Sequence, residues 1–149
     1  MSNLEDLLAA WSRQAGIRLE HQPETGLLQV TMPHRLPVEL DVFDSPPTVQ
    51  FSCVLGPMPA QGCAKLMADL LAANCRFAET DGATLGLDAE HDTVVLAQRY
   101  DVDILNPSVL RQAISEFSAT CERYRRQIAD WGLLPEDPFG QPPPAGMPV

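Results

Sequence analysis

The chain has 149 residues, 45% of them hydrophobic, a formal net charge of −10 and a pI near 4.5. This size and composition fit one folded domain with a real core and exclude a disordered chain. The acid excess argues against nucleic acid and anionic membrane surfaces as partners, because both are held by clustered Lys and Arg.

Ser2-Asn3-Leu4-Glu5 has capping-box spacing and predicts a helix from Asn3. Leu4, Leu7, Leu8, Trp11 and Ala15 form one apolar stripe, and Gly16 is a natural stop. Met1–Asp6 has neither a basic start nor a long apolar run, so no export signal is read there. No stretch approaches the ~18 apolar residues of a membrane span. Ile17 and Leu19 alternate with polar residues as a short strand. A three-strand meander follows: Leu27–Met32, Val38–Phe43 and Thr48–Leu55, with turns at Pro33–Pro37 and Asp44–Pro47. In the last of these, Val49, Phe51, Cys53 and Leu55 face one way and Thr48, Gln50 and Ser52 the other. Such alternation predicts an antiparallel sheet with one wet face.

Gly56–Pro59 ends the sheet and leads into a second helix with the stripe Cys63, Leu66, Met67, Leu70, Leu71 and Asn74. Its other face is small and polar, so this helix can pack on its own sheet and on a partner. Arg76–Thr80 reads as another short strand, followed by Ala83–Leu87 and Thr93–Tyr100. Val94 and Leu96 face one side of that last strand and Val95 and Ala97 the other, which asks for cover on both faces. Asn106 and Pro107 then open a final helix with Leu110, Ile114, Phe117, Cys121, Tyr124, Ile128 and Trp131 on one seam. At about 25 residues it is roughly 37 Å long, and Gly132 stops it. Six of the last fifteen residues are proline, so 133–149 is set apart as a Pro-rich flexible tail from a domain at 1–132. The expected fold class is α+β: an antiparallel twisted sheet flanked by three helices in the order α-β-β-β-α-β-β-α.

A search for chemistry assigns no catalytic residue, no metal site and no cofactor. His21, His34 and His91 each lie near a predicted turn, outside any metal-binding motif. Asp88, Glu90 and Asp92 alternate in a loop, but Thr93 and Arg99 stand where a calcium loop needs glycine and a bidentate acid. There is no Gly-rich phosphate cradle, and Lys65 is the only lysine. Cys53, Cys63, Cys75 and Cys121 form no C-x-x-C pair and read as reduced thiols. The chain is therefore not read as an enzyme, and surfaces are left to carry its function.

The element order, the run Asp81-Gly82-Ala83-Thr84-Leu85-Gly86-Leu87-Asp88, the strand Thr93-Val94-Val95-Leu96, and the final helix with Phe117 and Glu122-Arg123-Tyr124 resemble the class I type III secretion chaperones, the Tir chaperone family, over roughly residues 3–131. The resemblance implies a cytoplasmic homodimer that binds the N-terminal region of one or more secreted effectors, with the secretion ATPase as a further partner. It implies a dimer interface of Leu66, Met67, Leu70 and Leu71 on the second helix with Leu85, Leu87, Val95 and Ala97 on the hairpin. It places effector grooves at Leu8, Trp11, Leu28, Val30, Val49 and Phe51, although one face cannot be both core and groove. The alternative is a regulatory or scaffold module of the same fold that binds a secretion-machine component or a regulator.

Overall fold

A computed structural model describes residues 3–33 and 35–133. The chain runs α1 (Asn3–Ala15), β1 (Leu19–His21), β2 (Leu28–Val30), β3 (Val38–Asp44), β4 (Pro47–Pro57), α2 (Cys63–Asn74), β5 (Thr84–Asp88), β6 (Thr93–Asp101) and α3 (Pro107–Leu133). The α+β class is as expected, and the order gains one strand, α-β-β-β-β-α-β-β-α, because the Ile17–Leu19 alternation ends in β1. Ser2 of the expected capping box, His34 and the Pro-rich tail from 134 on lie outside the described residues.

All strands join one antiparallel sheet in the order β1-β2-β3-β4-β6-β5. The register pairs Leu28 with Leu40, Leu40 with Phe51, and Cys53 with Leu96. Paired residues share a face, so the alternating apolar residues of four strands form one continuous inner surface. Val49, Phe51, Val94 and Leu96 on it are fully buried. The seam of α3 closes over this surface with Leu110, Ile114, Phe117, Cys121, Tyr124 and Ile128, and α1 adds Leu8. The Phe117 ring meets Phe51 edge-on, with centroids 5.7 Å apart. Each such large side chain contributes about 1.5–3 kcal/mol by leaving water.

Local signals set the boundaries. Asn106 caps α3 through its Oδ1, which accepts the Val109 N–H at 2.9 Å, and Gly16 at φ +70° ends α1. The segment 76–80 is not the expected strand. After α2 the chain makes a 3-10 turn over Cys75–Phe77, with Arg76 (φ 64°) and Phe77 (φ 57°) both left-handed. Two successive residues of that kind reverse the chain and cannot extend it. The loop is fastened to α3 instead: Tyr124 Oη donates to the Glu79 carbonyl at 3.3 Å, and the Arg123 guanidinium donates to the same oxygen.

Candidate functional site: two partner-facing surfaces

β4 pairs with β6, so β5 forms one edge of the sheet and α2 lies along it. Asn74, at the end of α2, plugs this edge. Its Oδ1 accepts the Leu85 N–H at 2.7 Å and its Nδ2 donates to the Leu85 carbonyl at 2.9 Å. Both backbone groups of Leu85 therefore point away from β6. In an antiparallel strand the next pair to do so belongs to Leu87. A polar residue on an otherwise apolar helical stripe was the sequence signal for this contact.

Beside the plug lies an apolar groove of about 180 Å³ lined by Met67, Leu70, Leu71, Leu85 and Leu87, with Met58 and Val94. Leu71 stands out of its rim at 70% exposure, and Leu87 is 45% exposed. Five of the eight residues expected at a dimer interface thus meet in one place. The other three lie elsewhere. Leu66 is buried and lines a separate cleft between α2 and α3, with Tyr124 and Trp131. Val95 and Ala97 sit on the opposite face of the sheet from the groove. The pairing of Leu85 with Leu96 and Leu87 with Val94 is the reason: it puts the β5 leucines on the inner face and leaves Val95 and Ala97 outside. There Val95 pairs with Val54, which is 55% exposed, and with Gly86, which covers nothing. No single flat interface holds all eight residues.

The expected effector groove requires a larger correction. Leu8, Leu28, Val30, Val49 and Phe51 are all core residues, at most 3% exposed. Alternation marks the covered face of a sheet but does not say what covers it, and here the cover is α1 and α3. Trp11 alone of the six is partly exposed, packing at the edge of the core.

A second concavity, of about 800 Å³, opens at the far end of the sheet between the end of α1, β1, the β2–β3 loop and the start of α3. Its polar lining is Arg18, Glu20, Thr31, Arg35 and Arg111. β1 is the sheet's other edge. Gln22 N–H bonds the Leu27 carbonyl at 2.8 Å, which closes the β1–β2 hairpin. By the alternation of antiparallel pairs, the N–H and C=O groups of Leu19 and His21 then face outward.

Two clusters of titratable side chains stand out, and in the first the ligand atoms of Asp88, Glu90 and His91 lie within 4.8 Å of one another. Asp88 accepts the ring nitrogen of His91 at 2.8 Å and the backbone N–H groups of Glu90 and His91 at 3.1 and 3.3 Å. The His91 side chain first, and these N–H groups with it, hold the Asp88 carboxyl below the usual carboxylate range. It is a loop-closing aspartate in the β5–β6 turn. Cys53 and Cys121 are both buried, between β4 and α3. A hydrogen bond with the Cys53 thiol, and then burial, hold the Cys121 thiol far above the ordinary thiol range, so it is no nucleophile. Among the described residues no helix is long and apolar enough to cross a membrane.

The Tir chaperone protein (CesT) family matches residues 45–125, from the β3–β4 turn to the middle of α3. No curated protein sequence matches the chain. Several solved structures share the fold. A chain of the heterodimeric ExoU–SpcU complex from the type III secretion system of Pseudomonas aeruginosa superposes with a TM-score of 0.63 at 16% identity, covering 81% of this chain and 97% of that one. The Yersinia pestis type III secretion chaperone SycH, solved with a fragment of YscM2, gives 0.60 at 16% identity, covering 81% and 98%. YbjN, a putative transcription regulator from E. coli, gives 0.62 at 20% identity, covering 85% and 94%.

Proposed function

Since the chain belongs to the Tir chaperone protein (CesT) family, we propose that it is a cytoplasmic chaperone of type III secretion. In this reading a homodimer binds the N-terminal segment of one or more effectors in extended form and keeps that segment soluble and competent for export. It works by binding, through mass action, and catalyses nothing. Delivery of the complex to the secretion ATPase belongs to the same reading.

The observation that carries the homodimer is the groove between α2 and β5. A leucine at 70% exposure stands beside an apolar hollow on the same surface. A two-fold interface is self-complementary, so Leu71 of each copy can fill the hollow of the other. An acidic chain with no buried catalytic cluster among the described residues suits a partner that is held and not altered. The chaperone complexes that share this fold support the same reading.

The test is co-expression with N-terminal fragments of the large proteins encoded beside this gene. One fragment should become soluble and co-purify with two copies of this chain. If none is retained, the chaperone reading fails. The likeness to a putative transcription regulator favours a second reading, a regulatory or scaffold module with the same dimer. In that case the retained partner is a component or regulator of the secretion machine and is not itself exported.

A further inference from the structure

We propose that the concavity lined by Arg18, Arg35 and Arg111 reads an acidic side chain, Asp or Glu, on an extended partner segment laid along β1. This deepens the chaperone reading and rests on it.

The argument begins with charge. The chain carries 10 basic residues against 20 acids, yet three of the basic ones line this single hollow with one acid, Glu20. Glu20 is engaged by Arg18 only through Nε, at 2.6 Å, which leaves the outer nitrogens of that guanidinium for another acceptor. Arg111 is anchored by one nitrogen to the Ala15 carbonyl, so its fork is held at the mouth of the hollow. Arg35 has no side-chain partner among the described residues. Guanidinium forks match carboxylate geometry and keep their charge at every relevant pH. A positive hollow on a strongly negative protein also selects by repulsion, since the surrounding surface disfavours an acidic segment placed anywhere else.

The second observation gives the ligand its shape. The outward N–H and C=O groups of Leu19 and His21 run beside this hollow on an edge strand. A segment that pairs with them is extended, with alternate side chains on one face. Arg18 and Glu20 are two apart on β1 and share a face, so an acid on that face of the added strand enters the hollow. The site lies at the opposite edge of the sheet from the α2–β5 groove, so a dimer formed through that groove leaves it open.

The experiment uses the full chain and a fluorescein-labelled heptapeptide, Thr-Glu-Val-Asp-Val-Glu-Thr, compared with the same peptide carrying Gln and Asn in place of the acids. Fluorescence anisotropy at low salt should show the acidic peptide binding roughly tenfold tighter, a preference that fades as salt rises. The double variant Arg18→Gln/Arg35→Gln should lose the preference, while Arg126→Gln, which alters one charge on α3 away from the hollow, should keep it. Both replaced side chains are exposed, and an unchanged melting curve checks the fold. Equal affinity for the two peptides, or a preference that survives the double variant, overturns the proposal. Displacement by inorganic phosphate at matched ionic strength, with no advantage for the acidic peptide, also overturns it and assigns the hollow to a free anion. The peptide measurement needs no effector, so a chain that prefers acidic strands but stabilises no secreted protein fails the chaperone reading alone.

Discussion

Truncating Leu71 separates the dimer from the fold. In the isolated protomer this side chain is 70% exposed, so the folded monomer gains little from it. Complete burial of a leucine contributes about 1.5–3 kcal/mol, which leaves roughly 1–2 kcal/mol to be gained when the exposed part is covered. A two-fold interface contains the residue twice. Leu71→Ala should therefore weaken the homodimer by about 2–4 kcal/mol, a rise in dissociation constant of roughly 30- to 1,000-fold. Sedimentation equilibrium over a concentration series reads that constant directly. Urea unfolding of the monomeric variant should stay within about 0.5 kcal/mol of the parent monomer, as for an ordinary surface change. A wild-type chain that is monomeric at micromolar concentration refutes the reasoning, as does a Leu71→Ala dimer as tight as the parent. A variant that loses monomer stability as well shows that Leu71 is a core residue.

Other residues test the remaining assignments. Asn74→Ala leaves both backbone groups of Leu85 without their partners and should cost about 1–3 kcal/mol in urea unfolding; a cost under about 0.5 kcal/mol contradicts the edge-plug role. Phe51→Ala should cost about 3–5 kcal/mol, because it opens a cavity under α3. If it leaves stability intact and weakens only partner binding, Phe51 is a groove residue after all. Thiol titration with Ellman's reagent at mildly alkaline pH should find exposed Cys75 reacting fastest and half-buried Cys63 more slowly. Cys53 and Cys121 should react only on unfolding, since both thiols are buried where the reagent cannot reach them and the Cys53 contact and then burial hold Cys121 protonated as well. Fast reaction of all four in the native protein contradicts that packing.

Much of this was legible in the chain because periodicity reports burial. Every inward residue predicted between Val49 and Leu55 is buried, and so is the α3 seam from Leu110 to Ile128. Periodicity is silent on neighbours. It could not show that β4 skips β5 to pair with β6, and that skip makes β5 an edge. It also could not show that Leu85 and Leu87 share a face with Val94 and Leu96, which depends on cross-strand register. For the same reason the candidate groove residues on β2 and β4 turned out to be core: an apolar face looks alike whether a helix or a partner covers it. Arg76–Thr80 departs from the expected strand because Arg76 and Phe77 adopt left-handed backbone conformations without glycine, and the loop is then fastened at the Glu79 carbonyl by Arg123 and Tyr124, more than 40 residues away. The arginine hollow was equally hidden, since Arg18, Arg35 and Arg111 converge only through tertiary packing.

The central claim, that this chain serves protein export, is tested most directly in the culture supernatant. Secreted proteins should be quantified by mass spectrometry from the native bacterium with and without this gene, under conditions that activate type III secretion. The account predicts that at least one secreted protein disappears from the supernatant, with its messenger unchanged, and returns when the wild-type chain is supplied. An unchanged set of secreted proteins contradicts it.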